Sequence, residues 1–189
     1  MKRRQAGFTL TELMVVVAII GVLVTMAIVY MRPRVRPIDV ATRFGDLVHE
    51  ASRRAVALGP VRADVAVALN SRARTQILAT QAGTAVTFTL YRLQEAPFPA
   101  AAGLWMPLES YTTDSHVLAE SWALGVGTDQ TLALDSNWAA FSSQCRPDGI
   151  CEARTLFFQA AIAGPAYEQK ARISIMPLGG AITTSTDWN

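Results

Sequence analysis

The sequence predicts an α+β protein in which one long N-terminal helix packs on an antiparallel β-sheet. Three patterns carry this prediction: an uncharged apolar run from Leu13 to Met31, apolar residues recurring at threes and fours from Ile38 to Leu58, and alternation of apolar and polar residues after Pro60. The first two patterns are typical of helices and the third is typical of strands. The 189 residues allow one membrane segment and one domain with a substantial core.

The apolar run has the length of a membrane span. Its 19 residues, from Leu13 to Met31, contain no charged side chain. A helix rises about 1.5 Å per residue, so the run would measure roughly 28 Å, close to the hydrocarbon thickness of a bilayer. Glu12 lies directly before the run, and a carboxylate at the edge of a span needs a partner or a function. A short basic leader precedes it, with Lys2, Arg3 and Arg4.

The N-terminal string Gly7-Phe8-Thr9-Leu10-Thr11-Glu12, followed by the apolar run, resembles the class III signal of type IV pilins and type II secretion pseudopilins. The resemblance implies that a prepilin peptidase cuts between Gly7 and Phe8 and that Phe8 is then N-methylated. It also implies that Glu12 is the acidic residue which this family needs for assembly. An uncleaved signal anchor is the alternative, but a plain anchor has no need of Glu12. Ordinary secretory cleavage requires a small-residue site after the run, and residues 29–33 offer none.

The resemblance and the patterns together divide the chain into four parts. These are a cytoplasmic leader (1–7), a transmembrane or filament-core helix (8–31), an amphipathic helix (32–58) and a β-rich periplasmic domain (59–189). The resemblance implies a single-pass protein of the inner membrane that later enters a pilus or pseudopilus. The implied partners are other pilins, minor pilins or pseudopilins, the prepilin peptidase, the inner-membrane assembly platform and membrane lipid.

The amphipathic pattern predicts a helix over Ile38–Leu58 that ends at Gly59-Pro60. Its apolar stripe consists of Ile38, Ala41, Phe44, Leu47, Val48, Ala51, Ala55 and Leu58. Period-two alternation then predicts three strands that form an antiparallel meander on this helix, at Val61–Leu69, Arg74–Gln81 and Val86–Tyr91.

The region from Glu95 to Cys151 is rich in proline and glycine, which predicts loops with short strands near Ser121–Leu124 and Thr131–Leu134. Long loops are common sites of interaction, although each tryptophan here is expected in the core. Further strands are predicted at Thr155–Ile162, at Ala171–Ile175 and, after a turn at Pro177–Gly180, at Ala181–Thr184. This closing hairpin is similar to the end of the GspH/FimT-like branch of pilin-like proteins.

The two cysteines, Cys145 and Cys151, frame a Pro-Asp-Gly turn that can bring them within disulfide range. An even pair also suits an oxidising periplasm, so a disulfide is predicted. Two free thiols in the core are the alternative. A zinc site is not expected, because the spacing is wrong and no histidine lies nearby. The sequence indicates no other metal site and no cofactor.

No enzymatic activity is expected. The two histidines are His49, on the predicted amphipathic helix, and His116, which follows Asp114-Ser115. Catalytic triads are recognised by tertiary geometry rather than adjacency, and no nucleophile-elbow pattern accompanies these residues. The glycines of the chain match no phosphate-binding loop.

DNA is not expected as a partner. The formal charge of the chain is +2, and without the three basic residues of the leader 14 basic side chains face 15 acidic ones, which gives −1. Some GspH/FimT-like pilins bind DNA through basic residues near the C-terminal end, but here no lysine or arginine follows Arg172. Phosphate contacts supply nearly all non-specific affinity for DNA.

The sequence therefore predicts a structural protein, a minor pilin of a type IV pilus that assembles through its N-terminal helix and helps to initiate the filament. The first alternative is a GspH-like pseudopilin of a type II secretion system. The others are a minor pilin for DNA uptake and a membrane-anchored periplasmic binding domain. The cysteine pair and the long region from Glu95 to Cys151 favour the type IV pilus.

Overall fold

A computed structural model describes residues 10–30, 35–161, 170–177 and 182–186 of the chain. The chain divides into two compact units, Met1–Arg34 and Val35–Asn189. The first contains helix α1 (Leu10–Tyr30), and the described part of the second contains two α-helices, a short 3-10 helix and nine strands. The predicted α+β class is confirmed.

Helix α1 is apolar on all sides. Its residues Leu10–Ala27 are long and apolar enough to cross a membrane, and none of them is buried. The hydroxyl of Thr25 donates a hydrogen bond to the carbonyl of Gly21 (2.7 Å), so this polar group is satisfied within the helix. A helix with no polar face is typical of a membrane span or of a core surrounded by other apolar surfaces.

Helix α2 (Pro37–Leu58) begins at a proline, which lacks the N–H that would be unpaired at this position anyway. The Asp39 carboxylate accepts a hydrogen bond from the backbone N–H of Arg36 (3.0 Å) and holds the first turn. Gly59 follows the last turn with a φ of +67°, which side chains disfavour. The helix predicted over Ile38–Leu58 is confirmed, and most of its predicted stripe is buried: Ala41, Phe44, Leu47, Val48, Ala51 and Ala55.

The described strands form two antiparallel sheets. The order of the first sheet is β3 (Gly103–Thr112), β2 (Ala85–Glu95), β1 (Thr75–Ala82) and β6 (Ser142–Cys145). The order of the second is β5 (Leu134–Asp135), β4 (Val117–Leu124), β7 (Arg154–Ala160), β8 (Lys170–Ile175) and β9 (Ile182–Ser185).

The core of the second unit lies between α2 and the strands of both sheets. Five aromatic rings fill its centre. The rings of Phe44 and Phe88 are 4.7 Å apart, and the ring of Phe141 lies 5.5 Å from that of Trp122 and 5.9 Å from that of Trp138. Rings at such distances add packing energy beyond the area that they bury. Trp122 and Trp138 therefore belong to the core, as predicted, whereas Trp105 is only partly buried.

The segment from Val61 to Leu69 is not the strand that its alternation predicted. It contains a short helix, α3 (Ala63–Ala68), in which only Val65 is buried while Val67 is 81% exposed. The alternating valines therefore do not share one buried face. Half of the residues in α3 are alanines, the best helix formers, which explains why the local preference overrides the short alternation. The meander of the first sheet consists of β1, β2 and β3 instead.

The region from Glu95 to Cys151 is more regular than predicted. It contains the long strands β3 and β4. Strand β4 includes the predicted strand at Ser121–Leu124, and β5 shares only Leu134 with the predicted strand at Thr131–Leu134. The sequence did not predict β3 because this strand contains Pro107. Proline removes a hydrogen-bond donor and therefore argues against a central strand. In the described sheet β3 is an outer strand, and Pro107 faces Tyr91 beside a shift in the β2–β3 register. Proline is tolerated at such a position.

The closing strands agree with the prediction. Strand β7 overlaps the predicted strand at Thr155–Ile162 up to Ala160, and Ile162 lies outside the described residues. Strand β8 covers the predicted strand at Ala171–Ile175, and β9 returns antiparallel to β8 with Ile182 opposite Ile175. Most of the predicted turn at Pro177–Gly180 lies outside the described residues.

Candidate functional site

Glu12 lies in the first turn of α1 and is the only charged residue of this helix. A carboxylate near a helix N-terminus is favoured by the partial positive charge of the backbone N–H groups there. The large apolar side chains that follow, from Leu13 to Met26, are 46–66% exposed. Glu12 therefore places a charged group at the start of a helix whose remaining surface is suited only to lipid or to other apolar helices. Gly7 and Phe8, the predicted cleavage and methylation residues, lie outside the described residues.

A disulfide joins Cys145 to Cys151, as predicted. Both cysteines are buried, and the loop between them turns at Gly149, where φ is +80°. The loop is fastened to α2, because the hydroxyl of Ser52 donates a hydrogen bond to the carbonyl of Gly149 (3.0 Å). A Cβ at Gly149 would lie only 3.3 Å from a methyl group of Val56, so glycine also permits this close approach.

Asp114 and His116 form a local turn ahead of β4. The Asp114 Oδ1 atom accepts hydrogen bonds from the backbone N–H of His116 (2.9 Å) and lies 2.6 Å from its ring Nδ1. These two contacts hold the pKa of Asp114 below its ordinary value. The hydrogen bond from the backbone N–H has the larger effect and the contact with the ring the smaller one. Ser115 is exposed, and within this turn no hydrogen bond links its hydroxyl to the imidazole. The three residues therefore shape a turn and do not make a nucleophile–base pair.

A buried ion pair joins the start of β1 to the end of β2, and no sequence pattern had singled it out. Arg74 Nη1 lies 2.7 Å from Glu95 Oε1, and the two side chains are only 10% and 18% exposed. Arg74 also donates to the carbonyls of Gly59 (2.7 Å) and Pro60 beyond the end of α2. The same Glu95 oxygen accepts from the backbone N–H of Arg62 (3.0 Å). The β1–β2 hairpin could have indicated this pair from the sequence. Once β2 is extended to Glu95, its end lies beside the start of β1, where Arg74 is found.

Arg62 fixes the loop between β2 and β3. Its guanidinium donates to the carbonyls of Ala96 (2.9 Å) and Ala100 (2.7 Å), and lies 5.9 Å from the ring centroid of Phe98. Two further hydrogen bonds, of 2.9 and 2.8 Å, bind it to the Asp64 carboxylate. The bond to Arg62 lowers the pKa of Asp64 and keeps the carboxylate charged. The loop is therefore held in one conformation from its base.

Two adjoining grooves, of about 660 and 770 Å³, lie beside the disulfide loop and share Arg72 and Arg146 in their walls. Arg146 lies 3.8 Å from an oxygen of Asp148. Arg154, in the first groove, is 2.8 Å from Glu152. These carboxylates offset much of the positive charge that a polyanion would need. In the described part of the chain, no group of three or more His, Cys, Asp or Glu residues could hold a metal ion.

Comparison with known families bears on the N-terminal segment. A family model described as the prokaryotic N-terminal methylation motif matches residues 2–28. The match supports a type IV pilin-like prepilin signal, which confirms the resemblance at this level. The helix α1 and the antiparallel sheets are consistent with a pilin-like fold. No curated protein and no solved structure matches the chain.

The prepilin signal has three consequences for function. It implies processing by a prepilin peptidase and assembly with other pilins. Together with α1 it indicates anchoring in a membrane. Pilin-like proteins are structural rather than enzymatic.

Proposed function

We propose that this protein is a minor pilin of a type IV pilus. In this proposal α1 anchors the protein in the inner membrane as a single span, with the unit from Val35 onward in the periplasm. After cleavage between Gly7 and Phe8 the protein joins the filament through α1 and helps to initiate it. The observation that carries the proposal is the methylation motif at residues 2–28, which leads into a helix that exposes apolar side chains on all sides.

Glu12 is proposed to fix the register of assembly. Cleavage would leave an ammonium group on Phe8, close in sequence to the Glu12 carboxylate. Each charge alone is expensive in an apolar medium. The amine of an incoming subunit would pair with Glu12 of its neighbour, a contact that is stronger in low dielectric than in water, although desolvation offsets part of it. The apolar helices would otherwise slide along one another, and one polar contact would set their axial position, as a buried polar residue does in a coiled coil.

Substitution of Glu12 tests this proposal. In Glu12→Ala, membrane insertion and cleavage should remain, because the apolar run only becomes more apolar, while incorporation into the filament or its initiating complex should fail. Asp46→Ala is the matched control, since Asp46 is an exposed acidic residue on α2. Normal crosslinking of Glu12→Ala to neighbouring subunits, with normal filament numbers, would contradict the role of Glu12.

Two features support a type IV pilus over a type II secretion pseudopilus. One is the disulfide-closed loop at Cys145–Cys151 and the other is the long region of β3 to β6 that precedes it. Both add surface beyond α2 and the closing hairpin, and such surface is useful to a subunit with several different neighbours. The test is to purify the processed protein from its own cells and identify its partners by mass spectrometry. Pilus minor pilins are expected, and secretion-system pseudopilins alone would establish the alternative.

A further inference from the structure

The loop after β2 and the first half of β3 form an apolar segment without charged side chains. Its 13 residues, from Ala96 to Leu108, contain no charged side chain and no polar one apart from the indole N–H of Trp105. We call this segment the apolar edge. Residues 97–102 are all exposed, Phe98 is 82% exposed and Leu104 is 65% exposed. A loop that only connected two strands would be expected to be polar, so a continuous exposed apolar segment indicates an interaction surface.

The apolar edge is held in a fixed shape. Within the loop, the Ala96 N–H donates to the Ala102 carbonyl (2.9 Å) and the Ala100 N–H to the Pro97 carbonyl (3.1 Å). Arg62 holds the same loop from below through two carbonyls and lies against the ring of Phe98. A surface that is already ordered loses little conformational entropy when it binds. Phe98 is therefore presented as a rigid apolar anchor of the kind that dominates protein interfaces.

The charges around the apolar edge favour a protein partner over lipid. Binding to anionic headgroups requires basic side chains that are not already neutralised. The two arginines at the base of the loop both have carboxylate partners, Arg62 with Asp64 and Arg74 with Glu95. The charges next to Phe98 are thus paired, and the exposed Arg92 lies farther along the edge, opposite Met106, so the surface that receives Phe98 should be apolar and uncharged.

We propose that the apolar edge docks on a different subunit of the same filament, with Phe98 inserted into an uncharged apolar pocket of that neighbour. The inference rests on the proposed function, because a minor pilin is flanked by other pilin-like chains rather than by copies of itself. The Phe98 contact would join the exported units of neighbouring subunits, in addition to the assembly contact proposed for α1 and Glu12. The partner is defined by its chemistry, a protein surface without charged side chains at the point of contact.

Photo-crosslinking in cells that assemble the filament tests the proposal directly. A photoreactive phenylalanine derivative replaces Phe98 in the full-length protein, and the same derivative at Val67, which is 81% exposed on α3, is the control. The expected product at position 98 contains a different chain that itself carries an N-terminal methylation motif, and it should be roughly tenfold more abundant than at position 67. A product with lipid alone, a product with a second copy of this chain, or equal products at both positions would overturn the proposal.

Two variants separate the anchor from its support. Phe98→Asp should reduce recovery of the neighbouring subunit roughly tenfold, whereas Val67→Asp should leave it unchanged. Arg62→Met keeps Phe98 but frees the loop, so it should give an intermediate loss. Incorporation of the wild-type protein into filaments is measured in the same cells. If the wild-type protein enters filaments normally and Phe98→Asp still recovers the neighbour fully, the docking contact alone is refuted. If the wild-type protein never enters a filament, the proposed function is refuted.

Discussion

Arg74 and Glu95 form the most buried of the ion pairs in the described residues, with 2.7 Å between Nη1 and Oε1. The pair ties the end of α2 to both strands of the first hairpin, since Arg74 also binds the carbonyls of Gly59 and Pro60. A buried pair contributes little relative to apolar residues, but removal of one member leaves the other charge without compensation. The pair therefore makes this junction sensitive to single substitutions.

The first prediction is that Arg74→Met lowers the free energy of unfolding by about 3 kcal/mol, because Glu95 loses its cation in a poorly solvated place. The control is Arg53→Met, since Arg53 is 81% exposed and lies 3.5 Å from Glu50. That change should stay below about 1 kcal/mol, as for most surface pairs. Urea unfolding of the detergent-solubilised protein, followed by tryptophan fluorescence, measures both. Equal midpoints for the two variants would contradict the prediction.

The second prediction concerns processing between Gly7 and Phe8. The intact mass of the protein extracted from membranes should lack residues 1–7 and include one added methyl group. Gly7→Leu should leave the leader attached, because the predicted cut follows Gly7 directly and the substitution puts a bulky side chain there. A full-length mass for the wild-type protein, in cells with an active prepilin peptidase, would rule out the predicted site.

The third prediction concerns the disulfide between Cys145 and Cys151. The ring is short, with a sequence separation of 6, so entropy models assign it only about 2 kcal/mol. A double substitution to serine should therefore lower the unfolding midpoint modestly and chiefly loosen the loop that Ser52 holds on α2. Thiol labelling of the native protein should require a reductant. Ready labelling of both cysteines without one would show that the bond does not form in the cell.

The fourth prediction is a pH dependence at Asp114. The pKa of this carboxyl is lowered in the folded state from an ordinary 3.8, so its charged form stabilises the fold at neutral pH. That stabilisation is lost as the pH falls through the lowered folded value. Because Asp114 is partly exposed, Asp114→Ala should lower the melting temperature by no more than about 3 °C at pH 7. The difference should shrink as the pH is lowered below the ordinary value of 3.8, and a difference that stays constant on acidification would have another cause.

The fifth prediction concerns DNA. With a formal charge near −1 after removal of the leader and with Arg146 and Arg154 facing carboxylates, the protein should not bind duplex DNA tightly at physiological salt. Titration of labelled duplex at several salt concentrations measures this. A salt-sensitive dissociation constant below micromolar would instead favour the DNA-uptake alternative.

Much of the fold was accessible from the sequence because its patterns were long. The stripe of α2 repeats over several turns and β2 alternates clearly, so local spacing and burial agree there, while β7 and β8 are short apolar runs with consecutive buried residues. The errors fall where the pattern was short or interrupted. Val61–Leu69 alternates too briefly to outweigh its alanines, and Pro107 conceals β3 because the sequence does not reveal which strand is the outer one.

The candidate site divides in the same way. The motif around Gly7, Phe8 and Glu12 is contiguous, so the sequence alone indicates it. Other contacts depend on tertiary placement, which no local pattern encodes. These are the ion pair of Arg74 with Glu95 and the hydrogen bonds of Arg62 to the carbonyls of its loop. The exposure of Phe98 likewise appears only after the hairpin is built, since an apolar residue in a sequence is first expected in the core.

Pro107 also bears on the time before the protein meets its partners. An outer strand with a long uncharged sequence is a template on which other chains can add strands and begin to aggregate. The apolar edge has that composition, but Pro107 interrupts its strand and removes one backbone N–H, while Pro97 and Pro99 interrupt the loop before the strand. The unassembled protein can thus expose apolar side chains while its backbone resists sheet extension, so a membrane-anchored pool can remain unaggregated until assembly.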